Sequence, residues 1–161
     1  MNLKMKEEST GKQSIKLFVG CAPNGEDAET QMVLEYTAKK NSSMPVDITW
    51  MKHEPAGIWS GWKSETWATP FSGFRWAIPA ACDYKGQAIY MDSDMIIIGD
   101  LAELWNNSWN DSAIIQMKGD WRTCVAKWNC QRAGQVLPNI EMIKSVPNAH
   151  QQLFSAIQQR P

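Results

Sequence analysis

The chain has 161 residues, 43% of them hydrophobic and 20% charged, with a net charge of −1 at pH 7. That balance suits one soluble domain with a sizeable core and gives no electrostatic case for nucleic acid or an anionic membrane. Met1–Glu8 carries no apolar core for a signal peptide, and no run approaches a membrane span. Cys21, Cys82, Cys124 and Cys130 lack a CxxC spacing, and with only two histidines a zinc site is not expected. Reduced core thiols are the simpler reading, and with them a cytoplasmic compartment.

Met1 to Gln13 is polar and reads as a disordered tail, leaving 14–161 as one domain. Ile15 to Gly20 forms the first strand, broken by the turn cluster Cys21-Ala22-Pro23-Asn24-Gly25, where Asn24 is a candidate helix cap. The helix that follows runs from about Glu26 to Lys40, with Glu26, Asp27 and Glu29 in its first turn and Lys39 and Lys40 in its last, as the helix dipole favours. Val46, Ile48 and Trp50 alternate on a second strand. Lys52 to Thr69 reads as a long loop rich in Gly, Ser and Trp, and its length suggests a mobile segment over a binding site. Five of the nine tryptophans (Trp50, Trp59, Trp62, Trp67 and Trp76) fall here or close by. Each serves packing or, if exposed, stacking against a sugar ring.

The spacing of Phe74, Ile78, Ala81 and Cys82 predicts a helix over Phe71–Cys82, kinked at Pro79. Ala88–Asp92 and Met95–Ile98 read as strands flanking an acidic break, and Leu101–Trp105 as a helical turn. Ser112–Lys118 and Thr123–Cys130 are two further strands, and Ala149, Leu153, Ala156 and Ile157 mark a terminal amphipathic helix. Near-continuous apolar strands alternating with helices predict an α/β sheet covered by helices. In such sheets ligands bind beyond the carboxyl ends of the strands, where both the Cys21–Gly25 turn and the acidic break lie.

Asp92-Ser93-Asp94 is the most informative feature. Two carboxylates one residue apart at the end of an apolar strand repel unless a cation lies between them. An all-oxygen pair of this kind suits Mg²⁺ or Mn²⁺ with positions left open for phosphate oxygens. The plain alternative is a solvated turn.

The block Thr69-Pro70-Phe71-Ser72-Gly73-Phe74-Arg75-Trp76-Ala77-Ile78-Pro79-Ala80, then Tyr84-Lys85-Gly86 and Ala88-Ile89-Tyr90-Met91-Asp92-Ser93-Asp94, resembles glycosyltransferase family 8. Gly99-Asp100-Leu101-Ala102-Glu103-Leu104-Trp105 is similar to the segment that follows that family's acidic motif. The resemblance implies a GT-A-type, Rossmann-like mixed sheet flanked by helices and short at its C-terminus. It also implies a Mn²⁺- or Mg²⁺-dependent transfer of sugar, with retention, from a nucleotide-sugar donor, UDP-sugar foremost, to an unknown acceptor. Asp92 and Asp94 would hold the metal, and Tyr90, Asp92 and Ser93 would line the donor site. Arg75 would contact the donor near its sugar and phosphate. The turn bearing Cys21, Ala22 and Asn24 would meet base and ribose. Asn129 falls near a polar position later in the strand that runs by the donor sugar, and with Arg75 it would be catalytic.

The chain also departs from the family pattern. Arg122-Thr123-Cys124 stands where many members carry Asn-Ala-Gly, and the family's His-x-x-Gly-x-x-Lys-Pro-Trp stretch, with its metal-binding histidine and phosphate-binding lysine, does not occur. His150 opens an amphipathic helix and reads as a surface residue, and His53 has no partner in sequence reach. Those departures imply slow turnover by this chain alone and self-association or a partner chain over the uncovered surface. They also keep open a nucleotide-binding member without catalysis. An aspartate-nucleophile phosphatase is disfavoured, because the acidic motif is mid-chain and Ile96 follows it where Thr or Val is needed.

Overall fold

A computed structural model of the chain describes residues 13–63, 65, 67–116, 123–146, 149, 152, 153, 155 and 157. Five strands make one mixed sheet: β1 (Ile15–Gly20), β2 (Val46–Met51), β3 (Gln87–Asp92), β4 (Ile114–Gln116) and β5 (Val125–Asn129), in the spatial order β2-β1-β3-β5-β4. β1 runs parallel to both β2 and β3, while β5 is antiparallel to β3 and β4. Register sets Gly20 beside both Met51 and Asp92, and Met91 beside Val125. Three carboxyl ends and the start of β5 therefore share one edge.

Alternation along the central strands fills both faces. Leu17, Val19, Ile89 and Met91 point to one side, against Leu34 and Ala38 of α1 (Ala28–Lys40) and Leu101, Ala102 and Trp105 of α3 (Leu101–Asn106). Phe18, Ala88, Tyr90, Ala126 and Trp128 point to the other, against the aromatic cluster and α2 (Ile78–Ala81). The apolar side chains along β1 and β3, interrupted by exposed Lys16 and by half-buried Gln87 and Asp92 at the two ends of β3, follow from this double burial.

Several expectations change. Met95–Ile98 is not a strand: β3 already has β1 and β5 on its two edges, and only Ile97 is buried while Ile96 and Ile98 are exposed. Phe71–Cys82 divides into a 3₁₀ turn over Phe74–Ala77 and the short α2, where Pro79 sits in the first turn and needs no amide partner. The last strand stops at Asn129, whose side chain accepts from the Arg132 amide at 3.1 Å and opens α4 (Cys130–Val136). Asn139 opens α5 (Ile140–Ser145) in the same way. Neither helix is long enough to show a periodicity. Ala149 and Leu153 are buried as the terminal pattern requires. Lys118, Ala156 and His150, the proposed tail through Lys12, and Arg122 lie outside the described residues. No described helix is long and apolar enough to cross a membrane, and all four cysteines are unpaired and buried.

The largest correction concerns Lys52–Thr69. The expected mobile cover is packed into the core: Trp59, Trp62 and Trp67 are all buried. Phe74 is their hub, with ring centroids 5.5 Å from Trp59, 5.3 Å from Trp62 and 4.9 Å from His53. The Trp62 indole donates to the Ile58 carbonyl, His53 bonds the Pro70 carbonyl at 3.0 Å, and Lys144 of α5 donates to the Gly57 carbonyl. Glycines and tryptophans that suggested a lid instead let a long connection fold down on itself. Trp59→Ala is therefore expected to cost about 3–5 kcal/mol in urea unfolding, the usual range for deleting a buried large aromatic. A loss below about 1 kcal/mol would show the loop to be detached.

Candidate functional site

A cavity of about 580 Å³ opens at the shared strand edge, within the range of small-ligand sites. Its lining includes the acids Glu26 and Asp27 just before α1, Asp92 at the end of β3 and Asp94 beyond it, together with Trp67, Phe71, Arg75 and Thr123.

Arg75 projects from the 3₁₀ turn and is buried. Its Nε donates to the Ser72 carbonyl at 3.0 Å, one terminal nitrogen to the Thr123 carbonyl at 2.7 Å, and the other to Asp92 Oδ1 at 3.2 Å. Its guanidinium also lies 4.6 Å over the Tyr90 ring. Three of five N–H donors are thus engaged, and the head group is locked in place. Tyr90 is wholly buried and its hydroxyl donates to the same Asp92 oxygen. Burial, followed by the charge of Asp92, pushes the Tyr90 phenol well above its ordinary value even against Arg75, so it stays a donor.

Asp92 ends β3, its amide donating to the Cys124 carbonyl at 3.0 Å, and the chain then turns so that Met95 N–H reaches back to the Asp92 carbonyl. Ser93 points inward and is buried, while Asp94 is exposed to the cavity. Close approach on this edge depends on Gly20. A Cβ there would lie 2.9 Å from the Phe71 ring and 3.1 Å from the Tyr90 hydroxyl.

The structure thus brings Arg75, Tyr90, Asp92, Ser93 and Asp94 together, and it separates three other expected residues from them. The Cys21 thiol turns into the opposite core, donating to the Val19 carbonyl at 3.4 Å, and burial with the Asp27 charge pushes it up to about 12. Asn24 is exposed and does not cap α1, whose cap position is Asp27. Asn129 is a correction: β5 is antiparallel, so Asn129 pairs with Gln87 at the far end of β3 and serves as the cap of α4. Ala22 meets the site only through its amide, which donates to Asp27 Oδ2 at 3.1 Å. Sequence reasoning missed Asp27, visible only as one acid among three in a helix's first turn, and named Thr123 and Cys124 only as a departure from the family pattern, whereas the β3–β5 pairing brings both to the cavity.

Two aspartates and no third partner define the metal question. Among the described residues, no three His, Cys, Asp or Glu side chains cluster as a complete metal shell. The acidic pair still fits a hard divalent ion in chemistry, with oxygen donors and an open cavity to supply the other ligands.

No known family model matches the chain. It is 30% identical over 116 residues to Protein CDI of Arabidopsis thaliana, a match covering 70% of this chain and 44% of that protein. The chain therefore spans less than half the length of this curated relative. Among solved structures it is similar to the galactosyltransferase LgtC in complex with donor and acceptor sugar analogues, with a TM-score of 0.62 at 9% identity over 89% of this chain and 65% of LgtC. It is also similar to the apo bifunctional glycosyltransferase WbbM (TM-score 0.60, 9% identity, 84% of this chain, 34% of that one). The apo glycosyltransferase GlyE of Streptococcus pneumoniae TIGR4 overlays with a TM-score of 0.55 at 16% identity, over 92% of this chain and 39% of GlyE. The fold is that of the GT-A glycosyltransferases. At such identities the likeness is one of backbone, and the chemistry rests on the residues themselves.

Cys124 reports on the electrostatics of the cavity. Burial, then a hydrogen bond to Asp92 and the charges of Asp92 and Asp94, push its thiol up to about 12, with Arg75 opposing. At pH 8 its thiolate fraction is on the order of 10⁻⁴. Asp92→Asn removes one charge and leaves Arg75 facing the thiol. Alkylation of Cys124 by iodoacetamide, followed by peptide mass mapping, should then accelerate about tenfold. An unchanged rate would mean that burial alone sets the thiol.

Proposed function

We propose that this chain is the donor-binding part of a metal-dependent glycosyltransferase related to family 8, taking its sugar from a nucleotide-sugar, UDP-sugar foremost, with retention of configuration. The observation that carries this reading is the meeting of Asp92, Asp94 and the locked guanidinium of Arg75 in one cavity at the carboxyl ends of β1 and β3. The similarity to LgtC with donor and acceptor sugar analogues supports it at the level of fold.

Charge makes the reading specific. Among the described lining residues there are four carboxylates and one guanidinium, a balance that opposes an anionic diphosphate entering without a counter-charge. Asp92 and Asp94 would hold Mn²⁺ or Mg²⁺, which when bound neutralises the diphosphate of the donor. Arg75 supplies a fixed positive charge beside the position where the leaving diphosphate gains negative charge, and its three anchors hold that charge without reorganisation during reaction. Trp67 and Phe71 give the cavity aromatic surface that suits the apolar face of a sugar. Buried Tyr90 keeps Asp92 oriented through its hydroxyl.

A second reading, nucleotide binding without efficient transfer, is favoured by the acidic pair having no third protein ligand among the described residues. Calorimetry separates binding from its absence. UDP should bind weakly alone and at least tenfold more tightly with Mn²⁺, and Asp92→Asn/Asp94→Asn should abolish that enhancement. Equal Mn²⁺ and UDP binding by wild type and the double variant would refute the donor-site reading. If binding behaves as expected, hydrolysis of UDP-sugars by the same chain decides between the two readings.

A further inference from the structure

A second cavity, of about 650 Å³, opens at the other end of the sheet, where β1 and β3 begin and β5 ends. The six residues of β1 separate it from the acidic site, roughly 17 Å at the usual rise of a strand. Its lining is of a different kind. Trp105 and Trp109 supply indole surface, and Gln13, Gln87, Asn129 and Gln131 supply primary amides. Among the described lining residues Lys16 is the only charged one, and no carboxylate stands there.

Trp109 is held in place by cations. Lys127 of β5 is buried and makes no ion pair among the described residues. Its ammonium lies 4.2 Å from the centre of the Trp109 ring and donates to the Asn107 carbonyl at 2.7 Å. Burying a lysine without a carboxylate is costly, and here its contacts go to the Trp109 loop. After Trp109 the chain turns through φ of 42° at Asn110 and 62° at Asp111, the left-handed region that Asn and Asp tolerate best. The Ser112 amide then closes back on the Trp109 carbonyl at 2.8 Å. Arg132 of α4 donates twice to Asp111, to its carbonyl at 2.8 Å and its carboxylate at 2.7 Å. Yet Trp109 itself stays only half-buried. A large aromatic fixed from several sides without being covered is a pre-organised contact surface.

The fold uses the amides only in part. Gln87 donates to the Trp105 carbonyl at 3.2 Å, which leaves its own side-chain carbonyl as an acceptor. Asn129 accepts from the Arg132 amide at 3.1 Å, which leaves its two side-chain N–H groups as donors. Among the described residues the side chains of Gln13 and Gln131 have no hydrogen-bond partner. Neutral groups that both donate and accept, set beside indole rings, match a ligand with many hydroxyls and apolar ring faces. A sugar has both. We propose that this cavity binds a neutral saccharide, at a site separate from the acidic cavity and independent of the donor-site reading.

Two-dimensional NMR of the ¹⁵N-labelled full chain tests it, with maltose, cellobiose, lactose and N,N′-diacetylchitobiose as probes. At least one should bind with a Kd on the order of 1 mM and move the Trp109 indole and the Gln87 and Asn129 side-chain amide signals. UDP with Mn²⁺ should not displace it. Trp109→Ala should weaken that binding about tenfold. Gln131 is exposed, so Gln131→Ala should leave the fold intact while weakening binding about threefold, which keeps the test open if Trp109→Ala does not fold. No shift with any of the four sugars overturns the proposal. So do shifts centred on Trp67 and Asp92, which would put the sugar in the acidic cavity. Uridine moving the Trp109 signal as far as any sugar would make the ligand a nucleobase, and a sugar bound equally by wild type and both variants would place it elsewhere; either result also overturns the proposal.

Discussion

A buried guanidinium is unstable unless its donors find acceptors, and in this chain the acceptors of Arg75 come from three different segments. Ser72 belongs to its own turn, Thr123 leads into β5, and Asp92 closes β3. Removing one partner of such a buried pair typically costs about 3–5 kcal/mol, because an unpaired charge is left behind. The order of the sheet and the path of the turn before α2 are thus tied to the same ion pair that defines the site. Tyr90 beneath the guanidinium extends the tie into the core, so the position of Asp92 is fixed from the side and from below.

The aromatic cluster gives this arrangement a rigid back. Phe74 lies one residue before Arg75, and its contacts with Trp59, Trp62 and His53 anchor the turn from which Arg75 projects. A Cβ on the neighbouring Gly73 would come within 2.8 Å of the Trp62 ring, so the turn and the tryptophan loop are in direct contact. Packing of this density does not yield gradually. Through Trp62 and Trp59 the loop packs directly behind the turn that carries Arg75, and Trp67 lines the cavity.

Those turns carry the chemistry. Four acidic side chains face one cavity with a single guanidinium among the described lining residues, an arrangement that repels anions until a cation enters. The same field is felt by Cys124, whose thiol is kept protonated by burial and by the neighbouring aspartates. In the donor-site reading proposed above, a cavity of this sign would take a ligand that arrives with a divalent ion.

The first two parallel strands, the helix between them and the strand that ends at Asp92 were legible from residue order, because each carries a strong local signal: apolar runs, turn residues after them, and acids and lysines at the two ends of the helix. Arg75, Asp92 and Asp94 were legible as residues for the same reason, through a long block of ordered motif. Signals of that kind fail where an element's state depends on its neighbours. Met95–Ile98 has every local mark of a strand and is not one, since β1 and β5 already occupy both edges of β3. Asn129 looked close to the site in sequence order and lies at the far end of the sheet, because β5 runs antiparallel to β3. Lys52–Thr69 has the composition of an open loop, yet Trp59, Trp62 and Trp67 are buried, anchored by aromatic contacts that no local pattern announces. Sequence by itself determined β1, β2 and β3 and the two acids that stand at the end of β3. Only the tertiary structure decided that Arg75 and Thr123 meet at Asp92 and that Asp27 lines the same cavity, because these residues are brought together across long chain separations by pairing across the sheet and not by local propensity.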